Sequence, residues 1–206
     1  MGTEIYEKRE VMADIEKQAE KIQAKARKVI EESGVVDIWK SIGAEINLVG
    51  SLETGLLMNK RDIDFHIYTS ELKIAESFRA MAIFADNPAV RRIEFRNLTD
   101  TDEHCIEWHV WYRDSEDMEW KIDMIHILKG STYDGFFEDV AKRIMAVLTP
   151  EIKRAILELK NKTPESENIM GIEYYQAVIR DGVRSWDEFS TWRSSHPVAG
   201  IVEWRP

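Results

Sequence analysis

Residues 49–68 read VGSLETGLLMNKRDIDFHIY, and they place two aspartates inside a segment that otherwise has the composition of a buried strand. Side chains alternate across a strand, so Ile63, Phe65 and Ile67 share one face while Asp62 and Asp64 share the other. The apolar face predicts the core side of a sheet. The two carboxylates then stand roughly 7 Å apart, where they repel each other unless a cation joins them. The pattern therefore favours a site for a hard divalent ion such as Mg²⁺.

A glycine–serine pair precedes the aspartates. Gly50-Ser51 ends a hydrophobic strand and opens a tight turn, where the missing side chain and the backbone N–H groups let phosphate oxygens approach. Asp123 lies in a second apolar strand, WKIDMIHIL, and could complete the metal site or take a proton from an acceptor hydroxyl. These residues predict a phosphate site beside a metal site.

This combination resembles the nucleotidyltransferase superfamily related to DNA polymerase beta, which includes the aminoglycoside and lincosamide nucleotidyltransferases. The family motif is a hydrophobic residue, Gly, Gly or Ser, about ten residues, then Asp, a hydrophobic residue, Asp or Glu, and a hydrophobic residue. Here it reads Val49-Gly50-Ser51 and then Asp62-Ile63-Asp64-Phe65, and Asp123 matches the third carboxylate. The resemblance covers residues 35–130.

The resemblance implies an ATP-binding or other nucleotide-binding transferase that moves a nucleoside monophosphate from a nucleoside triphosphate to a small-molecule hydroxyl, with release of pyrophosphate. Asp62 and Asp64 would hold two Mg²⁺ ions, and Asp123 would bind the ion on the nucleophile side and could act as the base. Gly50 and Ser51 would contact the β- and γ-phosphate oxygens. An antibiotic-modifying enzyme is one version of this activity.

Three alternatives stay open. The chain could nucleotidylate a protein, as the minimal nucleotidyltransferases of toxin–antitoxin modules do, or it could be a non-catalytic nucleotide-binding or scaffolding module of the same fold. An RNA-tailing enzyme is disfavoured by the net charge of −10, which repels polyanions, and by the lack of a basic stripe with interleaved aromatic residues. We therefore expect nucleic acid not to be a partner.

The rest of the chain predicts an α+β protein with a mixed, twisted sheet, flanking helices and a C-terminal helical lobe. Strands are expected at 45–51, 62–69, 90–98, 105–113 and 119–128, with the last two forming an antiparallel hairpin. Helices are expected at 4–33, 71–86, 134–147, 150–161, 168–181 and 186–195. We predict a nucleotidyltransferase core with an N-terminal helix in residues 1–130 and a helical lobe in residues 131–206.

Composition and charge fit a soluble globular chain of 206 residues with 44% hydrophobic and 32% charged residues. Cys105 is the single cysteine, so no disulfide can form within the chain. The first ten residues, MGTEIYEKRE, are too charged for a secretory signal, and no apolar run reaches membrane-spanning length. We expect a cytoplasmic protein without a membrane segment.

Several other polar residues receive structural interpretations. Glu107 could replace Asp123 if its strand is central. The strand histidines are expected to be ordinary sheet residues that bind no zinc, namely His66, His109 and His126. We expect a solvated strand face to carry Arg91, Arg92 and Arg96. Closer to the aspartates in sequence are Lys60 and Arg61. Core packing is expected for the aromatic side chains of the C-terminal helices, which are Tyr174, Tyr175, Trp186 and Trp192.

Overall fold

A computed structural model of the chain describes residues 2–198 and 200–206. The strands are β1 (Glu45–Val49), β2 (Asp62–Thr69), β3 (Val90–Leu98), β4 (Cys105–Arg113) and β5 (Glu119–Leu128). The helices are α1 (Gly2–Ser33), α2 (Val35–Ser41), α3 (Gly50–Glu53), α4 (Ile74–Ala85), α5 (Phe136–Val147), α6 (Pro150–Lys162), α7 (Gly171–Tyr175) and α8 (Trp186–Ser195).

The chain divides into two compact units. The sheet unit comprises Ala24–Glu53 and Arg61–Asp139, and the helical unit comprises the described residues of Met1–Gln23, Thr54–Lys60 and Val140–Pro206.

The sheet unit is built on a five-stranded mixed sheet in the order β1-β2-β5-β4-β3. β2 and β5 are parallel, whereas β1–β2, β5–β4 and β4–β3 are antiparallel. The two strands that carry the predicted carboxylates are therefore neighbours near the middle of the sheet. This architecture confirms the predicted mixed sheet with flanking helices. The predicted domain boundary at residue 130 stays a prediction.

One face of the sheet is the hydrophobic core. Ile63 on β2, Trp108 on β4 and Ile122 on β5 are buried there, as the alternation of the strands predicts. α2 and α4 pack on this face. The indole Nε1 of Trp39 in α2 lies 3.1 Å from the sulfur of Met124, and Phe78 of α4 meets Trp108 edge to face. The opposite face of the sheet carries the polar side chains.

The β4–β5 hairpin is closed by the side chain of Asp114. Its Oδ1 accepts hydrogen bonds from the backbone N–H groups of Glu116 and Met118, each at 2.9 Å, and its Oδ2 accepts one from Trp120 Nε1 at 2.8 Å. Asp117 takes the left-handed conformation, with φ 64°, which a turn aspartate tolerates. The antiparallel hairpin predicted here is confirmed, and its turn fixes the register of β4 against β5.

Two helices of the helical unit, α6 and α8, begin with a side-chain cap. Thr149 accepts a hydrogen bond from Ile152 N, with Pro150 at the first position of α6, and Ser185 and Glu188 form a capping box at α8. Tyr174 stacks on Phe189 with ring centroids 4.8 Å apart. The buried aromatic residues include Tyr174, Tyr175 and Trp192, so the expected core packing is confirmed for them, while Trp186 is partly exposed.

Three local differences from the expected elements have physical causes. The first strand ends at Val49, because Gly50 has φ 69° and starts the short helix α3. The first helix ends at Ser33, before Gly34 with the same φ of 69°, as expected, but the separate helix α2 that follows was not predicted. Residues Gln176–Arg180 continue α7 as a π-helical turn, in which Asp181 N donates to Gln176 O, five residues earlier. Across the described residues, none of the helices combines the length and apolar character that a membrane span requires.

Candidate functional site

The polar face of the sheet carries the three predicted carboxylates. Asp62 and Asp64 are partly exposed on β2, and the intervening Ile63 is buried on the core face. In the parallel pairing of β2 with β5, Asp64 lies directly beside Asp123. Neighbouring strands are about 4.8 Å apart. The fold therefore brings Asp62, Asp64 and Asp123 together as one acidic patch, while their roles as ligands stay predictions.

Gly50 lies against this acidic patch. Its neighbour Val49 pairs with Asp64 in the antiparallel β1–β2 ladder. A Cβ atom added to Gly50 would lie 2.3 Å from Asp64 Oδ2 and 2.9 Å from its Cγ, and the φ of 69° is itself unfavourable for any other residue. Ser51 follows at the start of α3 and is partly exposed. The predicted phosphate-binding pair is thus next to the predicted metal ligands.

Two nitrogen donors hold Asp123. His109 on β4 pairs directly with Asp123 in the antiparallel ladder, and its Nδ1 lies 2.6 Å from Asp123 Oδ1. Lys121, two residues earlier on β5, donates from Nζ to Asp123 Oδ2 at 2.9 Å. The hydrogen bond to Asp123 and the nearby Glu107 carboxylate raise the pKa of His109 to about 9, against the opposing effects of burial and of the Lys121 charge. His109 is therefore an imidazolium at neutral pH in this arrangement.

Glu107 lies one position further along the same face of β4. Its Oε2 is 3.5 Å from His109 Nε2 and accepts a hydrogen bond from Arg96 of β3 at 3.0 Å. These contacts, led by the one to His109, lower the pKa of Glu107. Glu107 pairs with Ile125 in the ladder, whereas Asp123 is the residue beside Asp64. The register thus brings Asp123 to the acidic patch, and Glu107 stands behind His109.

The other end of the polar face is closed by the start of α5. The hydroxyl of Tyr68 donates to the Glu138 carboxylate, with both oxygens 2.9 Å away, and Asn47 Nδ2 donates to Glu138 Oε1 at 3.2 Å. His66 lies beside Tyr68 and Glu138. Its ring meets that of Phe137 edge to face, with the ring centroids 4.9 Å apart. Burial lowers the pKa of His66 to about 4, so it is neutral at pH 7. This closed end has a structural role.

The basic side chains of β3 and those that precede β2 lie in different places. Arg92 stacks over Trp111 at 4.2 Å and pairs with Glu94, and both Arg91 and Arg92 are exposed on β3 as expected. Arg61 Nε donates to Glu119 O at 2.9 Å. Within the helical unit, Lys60 donates to Asn168 Oδ1 at 2.8 Å. Each of these contacts is made to another group of the protein.

The donor set of the acidic patch fits Mg²⁺, because carboxylate oxygens are the ligands that this ion prefers. Residues 2–198 and 200–206 contain no group of three or more His, Cys, Asp or Glu side chains arranged around a common metal position. Asp123 directs both oxygens to nitrogen donors. An ionised carboxylate has about four lone-pair sites, so Asp123 can accept these two hydrogen bonds and retain acceptor capacity for an ion.

His109 is the site residue that sequence reasoning missed, since it was expected to be an ordinary sheet residue. A signal for it does exist in the sequence. If the predicted strands 105–113 and 119–128 form a tight hairpin, Arg113 faces Glu119 and counting back four residues places His109 opposite Asp123. The observed ladder has this register.

Comparison with known proteins rests on the fold. No family model matches the chain, and no curated protein matches it in sequence. Solved structures that share its fold include two polymerases. The GLD-2 poly(A) polymerase in complex with GLD-3 matches with a TM-score of 0.56 and 10% identity, over 91% of this chain and 63% of that one. The Cid1 poly(U) polymerase with bound MgGTP matches with a TM-score of 0.57 and 13% identity, over 82% of this chain and 55% of that one.

These structures belong to the DNA polymerase beta-like nucleotidyltransferase superfamily, so the resemblance inferred from the sequence is confirmed at the level of the fold. The chain has the nucleotidyltransferase fold. It spans only about 55–63% of the length of these two polymerases.

Proposed function

We propose that this chain is a Mg²⁺-dependent nucleotidyltransferase, which transfers a nucleoside monophosphate from a nucleoside triphosphate to an acceptor hydroxyl. The observation that carries the proposal is the pairing of Asp64 with Asp123 on adjacent parallel strands, with Asp62 on the same face and Gly50 against Asp64. The fold shared with poly(A) and poly(U) polymerases supports it.

In the proposed reaction, the acceptor oxygen forms a bond to the α-phosphorus. The bond between the α-phosphorus and the oxygen that bridges it to the β-phosphate breaks. Pyrophosphate leaves, and the proton of the acceptor hydroxyl passes to a base, for which Asp123 is the candidate. Asp62 and Asp64 would hold the metal, with Asp123 as a third ligand. When bound, Mg²⁺ offsets the charge of the triphosphate and makes the acceptor hydroxyl more acidic.

Gly50 and Ser51 would face the triphosphate. Gly50 has no side chain, so the Asp64 carboxylate occupies the space that a Cβ atom would take. A backbone without a Cβ can also approach phosphate oxygens closely. Ser51 supplies a hydroxyl and a backbone N–H at the same turn. Their contacts to the β- and γ-phosphates stay predictions.

The acceptor is the open part of the proposal. A small hydroxylated molecule follows from the resemblance to antibiotic nucleotidyltransferases and from the net charge of −10. An RNA 3′-hydroxyl is a second candidate, because the structures that share the fold are polymerases of poly(A) and poly(U). The cytoplasmic location also stays a prediction.

The test incubates the purified chain with each α-³²P-labelled nucleoside triphosphate and Mg²⁺, in three arms. The acceptors are an RNA oligonucleotide with a free 3′-hydroxyl, a polar small-molecule extract and a protein fraction. We expect label in one acceptor class with stoichiometric pyrophosphate, and no label with EDTA or with Asp64→Asn. Mg²⁺-dependent triphosphate binding without pyrophosphate release in any arm would instead favour a non-catalytic nucleotide-binding module.

A further inference from the structure

The side chain of His109 makes a direct contact with the third carboxylate. It faces Asp123 across the β4–β5 ladder, with 2.6 Å between Nδ1 and Oδ1. We infer that His109 is a positioning residue, which holds Asp123 in the orientation that nucleotidyl transfer needs. This inference rests on the proposed function, since it assigns His109 a task at the same site.

The direction of the hydrogen bond follows from chemistry. An ionised carboxylate can only accept, so His109 Nδ1 carries the hydrogen and donates it to Asp123. Lys121 donates to the second oxygen of the same carboxylate at 2.9 Å. A single donor would leave the carboxylate able to rotate about its Cβ–Cγ bond, whereas two donors on different strands fix both oxygens. Asp123 is thereby set in one rotamer.

His109 is itself held from behind. Its side chain is 13% exposed, and its Nε2 lies 3.5 Å from the Glu107 carboxylate, which Arg96 of β3 binds at 3.0 Å. The contacts run from Asp123 on β5 through His109 and Glu107 on β4 to Arg96 on β3. Lys121 is more exposed, at 32%, and lies on a flexible stem. His109 is therefore the more rigid of the two donors to Asp123.

Such support matters because a ligand carboxylate or a base acts only within a narrow geometry. Groups that hydrogen-bond to metal-binding side chains orient them, and their loss typically costs about 10- to 100-fold in metal affinity or activity. The competing explanation is a cross-strand pair that only stabilises the β4–β5 hairpin. The two explanations differ in what a substitution changes once the protein is folded.

Four variants separate them. His109→Leu removes both ring nitrogens, His109→Asn keeps an amide N–H near the position of Nδ1, and His109→Gln places its amide near the position of Nε2. The matched control is His126→Leu, because His126 is buried on the next strand but on the core face of the sheet. Circular dichroism melting defines a temperature at which all four variants are folded.

The first readout is the affinity for Mn²⁺ in the presence of α,β-methylene-ATP, which is measured by electron paramagnetic resonance. The second readout is kcat and KM for transfer. We expect His109→Leu and His109→Gln to lose about 10- to 100-fold in Mn²⁺ affinity and in kcat, with KM for the triphosphate within about threefold. We expect His109→Asn to recover most of both values and His126→Leu to match the wild type.

The inference is overturned if His109→Leu binds Mn²⁺ and turns over like His126→Leu. If His109→Leu does not fold, the comparison of Asn with Gln decides, and equal values for those two variants would overturn the inference. If the wild type turns over and the His109 variants are unaffected, the inference fails but the proposed function stands. A folded wild type that neither binds Mn²⁺ nor turns over overturns the proposed function and this inference with it.

Discussion

Gly50 and Asp64 are packed so closely that no side chain fits between them. An ideal Cβ on Gly50 would lie 2.3 Å from Asp64 Oδ2, a separation that real Cβ atoms do not adopt. The obstacle is the carboxylate of a predicted metal ligand, held on β2 directly opposite Val49. The glycine of the sequence motif therefore has a structural reason that is independent of any phosphate.

The first prediction concerns Gly50→Ala. The new methyl group must displace the Asp64 carboxylate, and misplacement of a catalytic group by about 1 Å can cost about 100-fold in rate. We expect kcat to fall by about that factor, measured by pyrophosphate release. Gly34→Ala is the control, because Gly34 has the same φ of 69° and nothing within 4 Å of its Cβ position. Both variants should lose about 1–2 kcal/mol of stability from the left-handed backbone, and Gly50→Ala should lose more because its methyl group displaces the carboxylate, but only Gly50→Ala should lose activity.

The second prediction concerns Asp62→Asn and Asp64→Asn. Each change removes one charge from a patch in which Asp64 lies beside Asp123, so like-charge repulsion falls. We expect the free energy of unfolding to change by less than about 1 kcal/mol or to rise, because each substitution keeps the size of a partly exposed side chain and lowers the repulsion. Mg²⁺-dependent triphosphate binding, measured by thermal shift, should be lost. Asp100→Asn, in the exposed loop after β3, is the control. Full activity in both patch variants would contradict the assignment.

The third prediction is an acid-dependent loss of stability that involves His126. Burial lowers the pKa of His126 to about 4, its Nε2 lies 2.7 Å from Thr69 Oγ1, and within the described part of the chain its Nδ1 has no hydrogen-bond partner. Because the folded-state pKa lies below the ordinary value of about 6.5, the unfolded chain takes up the proton first as the pH falls. Stability should therefore decline from about pH 6.5 down to about pH 4.

The measurement is urea unfolding at pH 7 and pH 5 for the wild type and for His126→Gln, which keeps a polar group near Nε2 and does not titrate. We expect the wild type to lose up to about 2 kcal/mol more than the variant over this range. A smaller loss should remain in the variant, because His66 is also buried with a lowered pKa and acts in the same direction. Identical pH dependence in both proteins would show that His126 does not contribute.

The sequence predicts the parts of this fold that depend on local patterns. Strand alternation around Ile63 and the caps at Thr149 and Ser185 give elements that the structure confirms, because each signal lies within a few residues. The pairing of Asp64 with Asp123 is different, since the two residues are 59 positions apart in the chain and no turn sets their register. Only the motif resemblance indicated that these acids meet.

His109 shows the opposite case, in which a readable signal was overlooked. A short hairpin sets its own register, so the partner of Asp123 follows from counting once the two strands are known. The helix α2 and the π-helical turn at Gln176–Arg180 are harder, because a segment of 7 residues is too short to show a clear apolar period and apolar spacing does not separate an α-helix from a π-helix.

The last prediction concerns Tyr68→Phe at the closed end of the polar face. The Tyr68 hydroxyl donates to Glu138, whose side chain is only 15% exposed, and it accepts a hydrogen bond from Gly135 N at 3.3 Å. Removing the hydroxyl leaves a mostly buried carboxylate with one donor fewer, which typically costs about 1–3 kcal/mol. We expect a loss of that size in urea unfolding, without loss of Mg²⁺-dependent triphosphate binding, since Glu138 holds α5 rather than the acidic patch.

A double-mutant cycle isolates this hydrogen bond from the loss of the tyrosine oxygen itself. In a Glu138→Gln background the acceptor is neutral, so Tyr68→Phe should cost at least about 1 kcal/mol less than in the wild type, because bonds to charged groups are the stronger ones. Equal costs in the two backgrounds would mean that the Tyr68 hydroxyl stabilises the fold through Gly135 or His66 instead. The anchoring of α5 would then not depend on the Glu138 charge.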